Sequence, residues 1–114
     1  MPFINSKIST KITKEQETEL KSRLGQAISL IPGKSESWLM LGFEPEYTLY
    51  FRGDNTQPMA FVDVSVFGGE NPAAFARLTG AICDIFKEVL GIEPDHVYVK
   101  YAAVSNWGWN GDNF

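Results

Sequence analysis

Residues 59–67, MAFVDVSVF, restrict this chain to few folds. A period of two sends Ala60, Val62, Val64 and Val66 to one face and Phe61, Asp63, Ser65 and Phe67 to the other. The all-aliphatic face needs a cover, and the next segment supplies one. Asn71-Pro72 reads as a helix start, with Asn as N-cap and Pro at the first helical position. Phe75, Leu78, Ile82, Ile85, Phe86 and Val89 then fall on one apolar stripe. Gly91 ends the helix, a turn containing Pro94 follows, and residues 96–103 (HVYVKYAA) return as a strand.

The first half follows the same plan. Behind the opening MPFIN, a mixed polar and apolar stretch leads to TKEQ (13–16), a capping box in which Thr13 and Gln16 satisfy each other's backbone. Leu20, Leu24, Ala27, Ile28 and Ile31 form a helical stripe that Pro32-Gly33 stops. Residues 38–43 (WLMLGF) read as a strand, residues 47–51 (YTLYF) pair with it or extend it, and Gly53–Asn55 marks a turn. The chain is therefore β-α-β twice, at a period of roughly 60 residues. The expected fold class is α+β, an α/β two-layer arrangement. A four-stranded mixed sheet carries both helices on one face through right-handed crossovers, in a single domain over 1–114. The uncovered face would expose Phe61 and Phe67 beside Asp63 and Ser65, which predicts self-association.

Composition narrows the function. Fourteen acidic against ten basic residues give a net charge of -4, which disfavours nucleic acid as a partner. No apolar run has the length of a membrane span, and MPFIN lacks the basic and apolar regions of a signal peptide. A single cysteine, Cys83, permits no internal disulfide, so a cytoplasmic protein is the expectation. Cys83 falls in the second helix as a small buried apolar residue, and His96 finds no partners for a metal site. No metal site is expected.

Taken singly, the remaining candidates have ordinary readings. A second-position proline leads a strand whose missing N–H costs nothing. Lys34 is a solvated lysine after a helix end, Tyr98 a sheet residue with a free hydroxyl, and Trp107 and Trp109 packing or interface aromatics.

Four features in order change this: MPFIN at the start, Gly33-Lys34 after the first helix, DHVYVKY (95–101) in the last long strand, and NWGWN (106–110) near the end. Together they resemble the macrophage migration inhibitory factor family of the tautomerase superfamily, over the full length. The resemblance implies a homotrimer with active sites between subunits. It also implies keto–enol tautomerisation of phenylpyruvate-like or dopachrome-like acids without metal or cofactor. Met1 would be removed and Pro2 would become the catalytic base. Lys34 corresponds to the lysine that binds the substrate carboxylate, Tyr98 to an aromatic supplied by the neighbouring subunit, and Phe67 to a position whose backbone lies beside the substrate. Phe3, Trp38, Trp107 and Phe114 match positions lining the pocket or its mouth. A receptor is the further partner implied, with an inherited pocket and release without a signal peptide.

Two positions depart from the family. Lys100 stands where an asparagine is expected, adding a second positive charge near the site, which either favours a more acidic substrate or changes the pocket enough to blunt activity. Met59-Ala60-Phe61-Val62 replaces the CxxC of the vertebrate cytokine, which removes any thiol oxidoreductase activity through that motif. The chemistry suits the rest. A free α-amino group titrates at roughly 7.7–8.0. Desolvation and a neighbouring lysine lower that value toward neutrality, where a general base works best.

Overall fold

The computed structural model describes residues 1–114, beginning with strand β1 (Pro2–Ile8) and helix α1 (Lys14–Ala27). The capping box forms: Gln16 N–H donates to Thr13 Oγ1 at 3.1 Å, and Thr13 N–H donates to Gln16 Oε1 at 2.9 Å. A single 3-10 turn (Ile28–Leu30) tightens the helix end and carries Ile28 into the core.

The next expectation needs correction. Trp38 lies in a 3-10 turn (Glu36–Trp38), and strand β2 runs over Met40–Glu44. The apolar run WLMLGF has no alternation to mark where extended structure begins. Residues 47–51 form no strand. Glu46 takes a φ of 54°, after which Tyr47 N–H bonds to Ile8 O at 2.9 Å. The chain thus turns across the end of β1 instead of running alongside β2.

Strand β3 (Ala60–Phe67), helix α2 (Pro72–Leu90) and strand β4 (Val97–Val104) complete the second half. Asn71 Oδ1 accepts from Ala74 N–H at 3.1 Å, and Gly91, at φ 70°, closes the helix in the left-handed conformation. His96 falls in a short 3-10 turn (Pro94–His96) just ahead of β4. The tail folds back as a small hairpin, β5 (Gly108–Trp109) with β6 (Asp112–Asn113).

The main sheet has the order β2-β1-β3-β4, parallel at its two outer pairs and antiparallel between β1 and β3. Asn5 faces Asp63 at the centre of that antiparallel ladder, so the two β-α-β halves meet about one repeat apart. Ile4, Ile8, Val62, Val64 and Val66 of the central strands pack with Leu20, Leu24, Leu78, Ile82 and Phe86 of both helices in one core. Each of these side chains contributes about 1.5–3 kcal/mol by leaving water. Both helices therefore cover the same face.

The other face of β3 alternates as expected: Phe61, Asp63, Ser65 and Phe67 are only half-buried. No helix is long and apolar enough to cross a membrane, and no three His, Cys, Asp or Glu side chains gather where they could hold a metal ion.

Candidate active site at the start of the first strand

Register places the N-terminus. Pro2 opposes Val66 at the end of β3, and the next residue, Phe67, holds the chain start in place: its N–H donates to Met1 O at 3.0 Å. Pro2 is buried, on the same side of β1 as Ile4.

Lys34 arrives from the loop after α1. Gly33, at φ 82°, makes the turn that the preceding Pro32 cannot, and Lys34 N–H bonds back to Ile31 O at 3.1 Å. The side chain then spans to β3, where Nζ donates to Phe67 O at 2.7 Å. Phe67 is thus held at both ends of its backbone, by Met1 through its N–H and by Lys34 through its carbonyl. The α-amine of Met1 is pushed below its usual value, first by burial, then by the positive charge of Lys34 and a hydrogen bond with it.

Beside this point lies an open cleft of about 840 Å³, lined by Met1, Pro2, Phe3, Trp38, Trp107 and Trp109 among others. Four of the residues expected at the site, Pro2, Phe3, Trp38 and Trp107, share it. Phe114 approaches from the tail: its ring stands 5.5 Å from that of Phe67, and its N–H donates to Trp107 O at 3.0 Å. Trp109 joins the wall edge-on against Trp38, with ring centroids 5.0 Å apart. This wall residue went unassigned in the sequence reading. The signal was present in the spacing, since Trp107 and Trp109 are two apart in an extended segment and share a side.

Tyr98 and Lys100 do not join Pro2 within the chain. Tyr98 pairs with Phe61, five positions along β3 from the partner of Pro2, a separation of about 16 Å. Tyr98 is 58% exposed, and its ring meets Phe51 edge-on at 5.3 Å and Phe61 at 6.4 Å. Lys100 is in register with Asp63, and its Nζ lies 3.0 Å from Asp63 Oδ1. The second positive charge expected near the site is therefore already met by a carboxylate of its own chain.

The arrangement combines the start of the chain, a fixed ammonium, backbone polar groups at Phe67 and an aromatic trough. An ammonium beside an aromatic wall suits an aromatic acid.

Comparison with known proteins agrees. The family model described as Macrophage migration inhibitory factor (MIF) matches residues 1–114. Macrophage migration inhibitory factor of Mus musculus is 28% identical over 95 residues, 82% of this chain and 82% of that protein. Among solved structures, Leishmania major MIF2 superposes with a TM-score of 0.92 at 29% identity, covering 100% of this chain and 97% of the other. The macrophage migration inhibitory factor homologue of Prochlorococcus marinus gives a TM-score of 0.87 at 26% identity, with 98% of each chain covered.

Proposed function

The chain belongs to the macrophage migration inhibitory factor family, and from that membership and the site geometry we propose that it is a cofactor-independent keto–enol tautomerase of phenylpyruvate-like acids. Removal of Met1 turns the Pro2 nitrogen from an amide into a secondary amine. In its neutral form this amine takes the proton from the carbon next to the substrate carbonyl. The protonated amine then gives that proton to the carbonyl oxygen, which completes the enol and restores the neutral base, and the reverse transfer regenerates the ketone. Lys34 holds the substrate carboxylate as a point charge. Loss of Met1 also frees the Phe67 N–H from the Met1 carbonyl, leaving a backbone donor beside the same carboxylate. Trp38, Trp107, Trp109 and Phe114 wall the aryl group and exclude water.

The observation that carries this reading is the convergence on Phe67 of the chain start and Lys34. Tyr98 and Lys100 enter the site only from another copy. A homotrimer, with the half-bare sheets turned inward and each site shared by two subunits, accounts for their distance from Pro2.

The test is the enol–keto absorbance change of phenylpyruvate, on protein whose intact mass shows Met1 absent. Turnover should be present in that form and fall at least about a hundredfold in Pro2→Gly. Turnover unchanged in Pro2→Gly overturns the mechanism.

A further inference from the structure

The site leaves unused a tight turn on the path from β2 to β3. Phe51 and Asp54 exchange both backbone hydrogen bonds, Phe51 N–H to Asp54 O at 2.9 Å and Asp54 N–H to Phe51 O at 3.0 Å. Arg52 and Gly53 are the two residues between them, with φ of 54° and 74°. Positive φ at both centres marks a type I′ hairpin loop, which favours Asn or Gly at its first position. An arginine there sits in a strained conformation costing on the order of 1 kcal/mol or more.

No salt bridge within the chain holds Arg52 or Asp54, and both are exposed. The Arg52 guanidinium instead rests over the Phe51 ring, 5.1 Å from its centroid. Asp95, the nearby carboxylate, is bonded to His96 at 2.7 Å. The Asp54 carboxylate is held rather than loose: Thr56 Oγ1 donates to Oδ2 at 2.7 Å and Thr56 N–H to Oδ1 at 3.2 Å. Each oxygen keeps a second lone pair toward solvent.

The turn therefore displays a cation and an anion on either side of one glycine, with the backbone tied by two hydrogen bonds and neither charge in a salt bridge. Gly53 has open space around it, but its φ of 74° disfavours any side chain there.

We propose that Arg52-Gly53-Asp54 is a docking turn for a receptor that reads this tripeptide. The receptor's ligand face carries a divalent cation, whose oxygen coordination the Asp54 carboxylate completes, beside an acidic cleft that takes the Arg52 guanidinium. Charge complementarity selects this occupant: a hard cation wants a carboxylate with free lone pairs, and paired carboxylates want a planar guanidinium. A turn tied in this way loses little conformational entropy on docking, which favours binding by so small a motif. The inference stands apart from the tautomerase reading, because it uses none of the residues at the Pro2 cleft.

The test uses the full chain over the immobilised ectodomain of an RGD-binding integrin in manganese buffer. Saturable binding is expected, abolished by EDTA and blocked by a linear RGD peptide but not by its RGE counterpart. Asp54→Glu, which keeps the charge but moves it by one methylene, should weaken binding at least about tenfold. Absence of saturable binding, binding that survives EDTA, or equal competition by the two peptides overturns the proposal. The peptide arm uses unaltered protein, so a folding defect in the variant cannot produce its result.

Discussion

Lys34 donates its ammonium to the carbonyl of Phe67 at 2.7 Å, tying the loop after the first helix to the end of the central strand β3. The same ammonium lowers the basicity of the Met1 amine, after the larger effect of burial, and a Pro2 amine exposed by loss of Met1 would face the same charge. Both roles can be read from one substitution. Replacing Lys34 with Met removes a charge-assisted contact to the substrate acid, worth about 1.5–3 kcal/mol, so KM for phenylpyruvate should rise about 10–100-fold. The base works in its neutral form, so kcat/KM climbs with pH through the amine pKa. Loss of the neighbouring positive charge raises that pKa, and the rising limb should shift to higher pH. A pH–rate profile with an unmoved limb would show that Lys34 does not act on the amine.

The Met1 carbonyl occupies the Phe67 N–H, and Met1 itself lines the cleft. An unprocessed chain should therefore lack more than a base. It should also bind an unreactive aryl acid such as hydrocinnamate at least about tenfold more weakly than the processed chain. Calorimetry on two preparations separated by intact mass measures this, and it isolates binding because no proton moves. Equal affinities would mean that Met1 leaves the acid's donors free.

The second half of the chain is easier to read than the first, for physical reasons. β3 alternates strictly because one face meets two helices, and α2 carries its stripe between an Asn cap and a left-handed Gly. Around β2 the signals conflict. Trp38 through Phe43 is apolar at nearly every position, so periodicity cannot separate the 3-10 turn from the strand behind it. Tyr47–Phe51 has strand-like composition, but Tyr47 is tied to the end of β1 through Ile8 O and the segment joins no strand, which only the tertiary arrangement decides. The site divides in the same way. Pro2 and Lys34 were found through the order of motifs resembling a family. Their meeting at Phe67 joins residues 33 positions apart and has no local signature. The compensation of Lys100 by Asp63 rests on strand register, which the sequence does not display.

Tyr101 offers a check on the layer between sheet and helix. Its hydroxyl donates to Phe75 O at 2.9 Å and lies 2.8 Å from Thr79 Oγ1, while its ring stacks on Phe75 with centroids 4.5 Å apart. Tyr101→Phe keeps the stack and loses the hydrogen bonds, which should lower stability in urea by about 1 kcal/mol. Burial pushes the phenol above its usual range. The folded chain thus holds this proton when the unfolded chain, titrating near ~10, has begun to release it. Stability from this group is full below that pH and falls as pH rises through the folded value. Tyr101→Phe should lose less stability above about pH 10 than the parent does. Parallel losses in the two proteins would place Tyr101 outside the linkage.

Pro2 and Tyr98 are offset by about 16 Å along the strand direction and lie on opposite sides of β3, so a site using both must draw them from two copies. This can be tested by complementation. Pro2→Gly replaces the ring-held secondary amine with a mobile primary one, and Tyr98→Ala lacks the wall that the neighbour supplies, so each homotrimer alone should be impaired. Subunits mixed at equal amounts and refolded together will form interfaces in which a Tyr98→Ala chain gives its intact Pro2 and a Pro2→Gly chain gives its intact Tyr98. With random assembly around a cyclic trimer, about one interface in four has both groups, and about a quarter of wild-type phenylpyruvate turnover should return. If Pro2 acts without a neighbour, Tyr98→Ala will be fully active by itself and mixing will only dilute it. If the chains do not associate, no activity beyond the average of the two parents will appear. Sedimentation of the mixture records assembly in the same sample, so a failure to form trimers is read separately from a failure to share sites.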